Sequence, residues 1–400
     1  MKRARQIAFV LRSSLWALAF SGTAVAVEGD RYQFFTGISY TYDGNVFRVP
    51  TSGITPPKKD LIRQTYVGVG LNLPISRQRL VANVRFNQTR FRDLETLDYN
   101  GRALNASWLW QAGNDWSGRL GYSQSKTASD FSNISGTSQN LRDQSQAFFD
   151  AYVMLDPTHR LEMGISQARS KNSAEVNRSN DYKDNQIYLG IQYISAANNS
   201  YGLRLIVDDV KLPNPSRLGF IAVDNSYQQT AVDFSYSWKF NAVSKIFGRL
   251  GYEGRKYDEF SDRNFTGFAW SFNYDWTPND KSAVLLNIRR EIDGLNDFAS
   301  NYALVQGISV KPRWIMSPKL NLAWDLGYSK LDFRGDPGII TGLSNQERED
   351  KLKTYGMSLG YAPLPSTSMS FSVRRDQRTS TLSGIDYEDT VYGGGVDFRF

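Results

Sequence analysis

The sequence predicts an all-β protein: a transmembrane, antiparallel, up-and-down β-barrel of about 18 strands, with short periplasmic turns and longer extracellular loops. Three observations carry this. From residue 31 onward, segments of about 10–14 residues alternate in polarity with the period of 2 that belongs to a strand. The connections alternate between tight and long. The chain closes on VYGGGVDFRF, with Tyr392, Gly394, Val396, Phe398 and Phe400 on one side and Gly393, Gly395, Asp397 and Arg399 on the other.

The first 26 residues read as an export leader. Lys2, Arg3, Arg5 and Arg12 precede a short apolar run, Ser14 to Phe20, and Ala24-Val25-Ala26 has the small-x-small form of a cleavage site with Ala24 and Ala26 at its recognised positions. The apolar run falls short of the ~20 residues that a spanning helix requires. The expected division is therefore a signal peptide over 1–26 and one outer-membrane barrel domain over 27–400.

Within the barrel, clear strands are Leu80-Ala82-Val84-Phe86 with Asn83 and Arg85 opposite, Phe268-Trp270-Phe272-Tyr274-Trp276, and Leu320-Leu322-Trp324-Leu326-Tyr328. The tight connections fall at 74–77, 113–116, 156–159, 196–199, 241–244, 277–280, 317–320 and 363–366, rich in the Pro, Gly, Asn and Asp that short hairpins need. The longer polar ones fall at 44–60, 91–98, 128–142, 172–180, 210–223, 257–262, 293–300, 334–349 and 380–386. Eight turns and nine loops give about 18 strands. An even count and this sorting of loop lengths are the plan of a bacterial outer-membrane barrel, both termini on the periplasmic side. The last strand closes the barrel, and Phe398 and Phe400 form the terminal aromatic signal that such barrels present to the barrel-insertion machinery.

Composition narrows the function. Removing the four basic residues of the leader from the 47 in the chain leaves 43 against 40 acidic residues, a net charge of +3. No basic block suggests nucleic acid. There is no Cys and a single His, which leaves little to hold zinc, haem or an iron–sulfur cluster, and no cofactor or metal is expected. His159 lies in the DPTH turn, a poor place for a general base, so no catalytic residue and no enzyme activity are expected. Asp43-Gly44-Asn45 reads as a turn, because the other ligands of a calcium loop are missing.

If the aromatic side faces lipid, Arg85, Arg119, Arg204, Arg249, Arg289 and Arg374 point inward together with Asp150, Glu162, Asp208, Asp233, Asp275 and Asp325. A barrel of 16–18 strands encloses an aqueous channel, where charges stay hydrated or paired. Two roles are open to these residues. They can line a pore that draws acidic or hydroxyl-rich solutes, or they can form ion-pair ladders that brace the wall.

Several stretches resemble one family, the exosortase-associated EpsL-type outer-membrane proteins of exopolysaccharide biosynthesis clusters, within a broader group of β-barrel porins. They are YTYDGNVFRVP (40–50), SRQRLVANVRFNQTRF (76–91), LDYNGRALNASWLWQAGNDWSGRLGYSQS (97–125), NSAEVNRSNDY (172–182), FSYSWKF (234–240) and the closing VYGGGVDFRF. The resemblance implies export of an exopolysaccharide chain across the outer membrane, in partnership with periplasmic and inner-membrane export components. It supplies no binding residues. A general diffusion porin for small solutes is the alternative expectation, and a non-conducting structural or adhesion barrel is the third.

Overall fold

The computed structural model describes residues 31–400 apart from 52, 54, 132–136, 219–220, 260, 262–263, 294–301 and 335–347. The expected leader, with Ala24 and Ala26, lies outside the described residues.

The strands run β1 Tyr32–Asp43, β2 Asp60–Ile75, β3 Gln78–Phe91, β4 Tyr99–Ala112, β5 Trp116–Ala128, β6 Leu141–Met154, β7 His159–Asn172, β8 Tyr182–Ile194 and β9 Ser200–Lys211. After β10 Ser216–Leu218 and β11 Ile221–Val223 they continue with β12 Tyr227–Lys239, β13 Ser244–Tyr257, β14 Phe265–Asn279, β15 Ser282–Asp293 and β16 Tyr302–Ser317. The wall ends with β17 Leu320–Arg334, β18 Glu349–Leu364, β19 Thr367–Ser380 and β20 Tyr387–Arg399. All except β10 and β11 join one 18-stranded antiparallel sheet, and the pairing of β1 with both β2 and β20 closes it. Closure removes both sheet edges, so every strand has a ladder partner on each side, as hydrocarbon requires.

The last residue takes part in that closure. Phe34 N–H donates to the Phe400 carbonyl at 2.9 Å and Phe400 N–H donates to the Phe34 carbonyl at 2.8 Å. Phe398 and Phe400 both project outward and are exposed.

All the tight turns but one fall where the sequence places them. Ser76, at φ 55°, and Gly113, at φ 63°, take the left-handed conformation that a short hairpin demands. The turn expected at 277–280 is displaced: β14 continues to Asn279 through a register shift after Trp276, because a bulge absorbs the extra residues. The loop expected over 210–223 reaches Ser226 and contains the β10–β11 hairpin, so it is not the irregular segment its polarity suggests. Loops 91–98 and 172–180 each carry a single 3-10 turn. Much of loops 128–142, 293–300 and 334–349 lies outside the described residues.

The outward face carries two aromatic bands. Trp108, Trp116, Trp238, Trp276, Trp314 and Tyr361 are exposed towards the tight turns, and Tyr40, Tyr122, Tyr252, Tyr328, Tyr355 and Tyr392 towards the long loops. Exposed Leu189, Ile191, Leu203, Leu205, Ile308 and Met357 lie between them. A large apolar surface of this kind is unstable in water and stable in a bilayer, with amphipathic rings at each interface.

Candidate functional site: the charged interior wall

Strand register decides which side chains share the interior. Asp397 pairs with Gly37, Gly68 with Arg85, Arg119 with Asp150, Asp233 with both Arg204 and Gly251, Ser271 with Arg249 and Arg289, and Gly356 with Asp325 and Arg374. Most of these positions are one residue away from an exposed outward hydrophobic group, such as Phe86 beside Arg85, Leu120 beside Arg119 and Leu250 beside Arg249. The register therefore places Arg85, Arg119, Arg204, Arg249, Arg289, Arg374, Asp150, Glu162, Asp208, Asp233, Asp275 and Asp325 on one face, opposite the aromatic bands. Their buried carboxylates and polar neighbours make it the interior face.

Along the arc from β5 to β13, charged side chains are held by partners on the same or neighbouring strands. Arg119 donates to Asp150 at 2.6 Å, and Arg249 donates to Asp233 at 2.9 Å. Glu162 accepts from Arg160 at 2.6 Å and from Arg204 at 2.5 Å, and Gln186 donates to Asp208 at 2.7 Å. The Tyr188 hydroxyl donates to Asp150 at 2.7 Å across the intervening strand β7. Gly164 makes that reach feasible, since a Cβ there would sit 2.4 Å from the Tyr188 ring and 2.8 Å from the Asp150 carboxylate. Gly251 serves Asp233 in the same way, with a Cβ falling 2.1 Å from its Oδ1. Aromatic faces support the guanidinium groups: Arg204 lies 4.6 Å above the Tyr188 ring and Arg160 4.9 Å above Tyr152.

The rest of the wall is looser. Arg289 is 3.9 Å from Glu291, and Lys311 is 3.6 Å from Asp325. Asp275 faces Lys245 across the β13–β14 ladder. Arg374 is paired with Asp376 at 2.8 Å. Arg85 differs from all of these. Its guanidinium stacks 3.7 Å above the Tyr66 ring and donates to Gln64 Oε1 at 3.2 Å, with no carboxylate at ion-pair distance among the described residues. Of the arginines that alternation singles out, Arg119, Arg204, Arg249 and Arg374 brace the wall, while Arg85 leaves an uncompensated positive charge facing the interior.

Towards the long loops lie ionic clusters that alternation alone did not single out. Arg255 is 3% exposed, lies between the rings of Tyr227 at 4.0 Å and Phe265 at 5.1 Å, and donates to Gln229 at 2.9 Å. Asp350 is fully buried and accepts from Arg348 at 2.9 Å and from Arg378. Loop 44–60 also turns inward. Arg48 donates to Asp43 at 2.8 Å and reaches Asp389 at 3.0 Å, while Asn45 donates to the carbonyls of Val49 at 2.7 Å and Glu388 at 3.1 Å. Burial opposes the charge on Arg48, but Asp43, with Asp130 and Asp389, more than offsets this and holds the guanidinium protonated more firmly than usual. Phe47 meets Phe131 edge-on at 4.9 Å, tying this loop to loop 128–142 at the mouth. The inward parity of Tyr227, Arg255, Asp350 and Arg378 was the available signal for the buried clusters; for Arg48 there was none.

His159 is engaged locally. Its Nδ1 lies 2.8 Å from Asp156 and 3.0 Å from the Thr158 hydroxyl, within the turn. Among the described residues no group of His, Cys, Asp and Glu has the geometry of a metal site.

Fold and wall together define a porin-type barrel: closed, 18-stranded, apolar outside and charged inside. Residues 244–400, covering β13 to β20, match the family described as "Putative beta-barrel porin 2". Solved structures share the architecture at low sequence identity. A BenF-like porin from Pseudomonas fluorescens Pf-5 aligns with TM-score 0.52 and 10% identity, covering 93% of this chain and 99% of its own. OccK2 (OpdF) of Pseudomonas aeruginosa gives TM-score 0.52 and 10% identity, over 92% and 98%. OccK9 (OpdG) of the same organism gives 0.51 and 11%, over 92% and 98%. No curated protein matches.

Proposed function

We propose that this chain is an outer-membrane diffusion channel for small hydrophilic solutes, with a preference for anions. The observation that carries the reading is the interior wall. A barrel of this strand number is too wide for its own side chains to fill, and the wall bears mostly paired charge, with Arg85 held by Tyr66 and Gln64 rather than by a carboxylate. A compensated wall lets a solute slide past without binding tightly, and the uncompensated cation biases which solutes enter. The match to a porin family over the second half and the fold shared with porins support the same class. The chain would reach the outer membrane of a Gram-negative cell through its leader and be inserted by the barrel-insertion machinery, Phe398 and Phe400 serving as its signal. No cofactor and no chemical step belong to this reading.

Export of an exopolysaccharide, with periplasmic and inner-membrane partners, rests on the family resemblance alone, and the comparisons favour the general porin. Planar-bilayer recording of the refolded protein, with and without acidic oligosaccharides, tests both. Steady openings indifferent to the sugars are expected. Sugar block would favour the export channel, and silence would contradict conduction altogether.

A further inference from the structure

On the outward face of β7 and β8, just above the apolar band, cations oppose one another. Arg169 pairs directly with Lys183 in the ladder, and Lys183 pairs on its other side with Lys211. Lys171 stands one outward position beyond Arg169, and all are exposed. Like charges directly opposite on one face of a sheet are destabilising.

Elsewhere on this barrel the same arrangement is neutralised by the protein. Lys330 and Lys351 face each other, and Glu349 lies 2.8 Å from one and 3.1 Å from the other. Arg63 faces Arg90, and Arg90 has Asp98 at 3.5 Å. Lys211 is held by Asp258 at 2.7 Å and Asp209 at 3.3 Å. Asp143 opposes Lys171 in the ladder, but it accepts from Arg102 at 3.2 Å and Gln124 at 3.1 Å. Arg169, Lys171 and Lys183 have no carboxylate at ion-pair distance among the described residues. Arg169 donates only to Gln167, at 2.6 Å, and Gln167 donates to Asn185 at 2.7 Å.

The position of the patch identifies the missing anion. Exposed Ile165 and Ile187 stand four residues below Arg169 and Lys183 on the same face. That is about 13 Å along the strand, or about 10 Å in height at the tilt of a barrel strand, so with the two isoleucines in the upper hydrocarbon the cations stand at headgroup level. We infer that Arg169, Lys171 and Lys183 form a docking site for the phosphate of an anionic outer-leaflet glycolipid whose acyl chains lie along Ile165 and Ile187. The inference rests on the membrane reading above, which sets the long-loop end outside.

The test is native mass spectrometry of the purified, refolded protein in detergent micelles doped with lipid A or with the same lipid stripped of its phosphates. The wild type should retain lipid A in preference to the stripped form. Arg169→Gln with Lys183→Gln should lower retention by on the order of tenfold. A charge-matched control, Arg63→Gln with Lys353→Gln, should not. Equal retention of the stripped lipid, equal loss in both double variants, or full displacement by millimolar inorganic phosphate would overturn the site. Heat-modifiable gel mobility confirms that each variant has formed its barrel. A wild type that forms no barrel in micelles overturns the membrane reading as well; a folded barrel without preference for lipid A overturns only this site.

Discussion

The interior chemistry is decided by single residues whose partners lie on other strands. Glu162 is 5% exposed and holds two guanidinium groups, Arg160 and Arg204. Replacing it with Gln leaves two partly buried cations short of a counter-charge. The expected destabilisation is on the order of 2 kcal/mol, less than for a sealed pair because both arginines keep one side wet; chemical unfolding in micelles measures it. Arg85 is expected to behave oppositely. Arg85→Ser should leave stability nearly unchanged and shift the reversal potential in a salt gradient away from anions, whereas unchanged selectivity would remove Arg85 from the conduction path. Asp156 shows how a turn residue couples to pH. Its carboxyl is held well below the usual range by the Thr158 hydroxyl and by the backbone N–H groups of Thr158 and His159. A depressed carboxyl stabilises the folded turn above its unfolded pKa, and this contribution is lost as pH falls through the folded value. The β6–β7 turn should therefore loosen only in acid, below about pH 4, and hydrogen exchange at Thr158 and His159 reads this directly.

At the scale of strands and loops, alternation and turn chemistry made most of the fold legible. Hairpins such as those at 74–77 and 113–116 were readable because Pro-Ile-Ser-Arg and Gly-Asn-Asp punctuate apolar runs, and strand parity separated Arg249 from Leu250 on the lipid side. What stayed hidden required register. That Arg204 meets Glu162 depends on β8 lying between them with Gly190 opposite Arg204, and no spacing within one strand encodes it. The inward fold of loop 44–60 was hidden as well, because its anchors Asp43 and Asp389 are far apart in sequence. This loop gives a prediction of its own. Arg48→Ala should free it from Asp43 and Asp389 and raise single-channel conductance at the mouth; a conductance equal to wild type would mean that the loop does not narrow the path. Gly164→Val probes the wall. The added side chain collides with Tyr188 and Asp150, so the variant should fold less efficiently and lose the Tyr188–Asp150 hydrogen bond.

For the molecule as a whole, one sheet closed on itself performs two separations at once. Period-2 alternation sends most aromatic and aliphatic groups of the membrane band to lipid and most carboxylates to the interior, and a barrel of this strand number is wider than its own side chains can fill. Among the described residues, buried carboxylates such as Asp150, Glu162, Asp233 and Asp350 occupy wall positions that apolar side chains would fill in the core of a water-soluble fold. If this wall encloses a conducting path, single-channel recording of the refolded protein in a planar bilayer should show large, steady, anion-preferring openings whose selectivity falls in Arg85→Ser. A folded, inserted barrel that passes no current would rule such a path out.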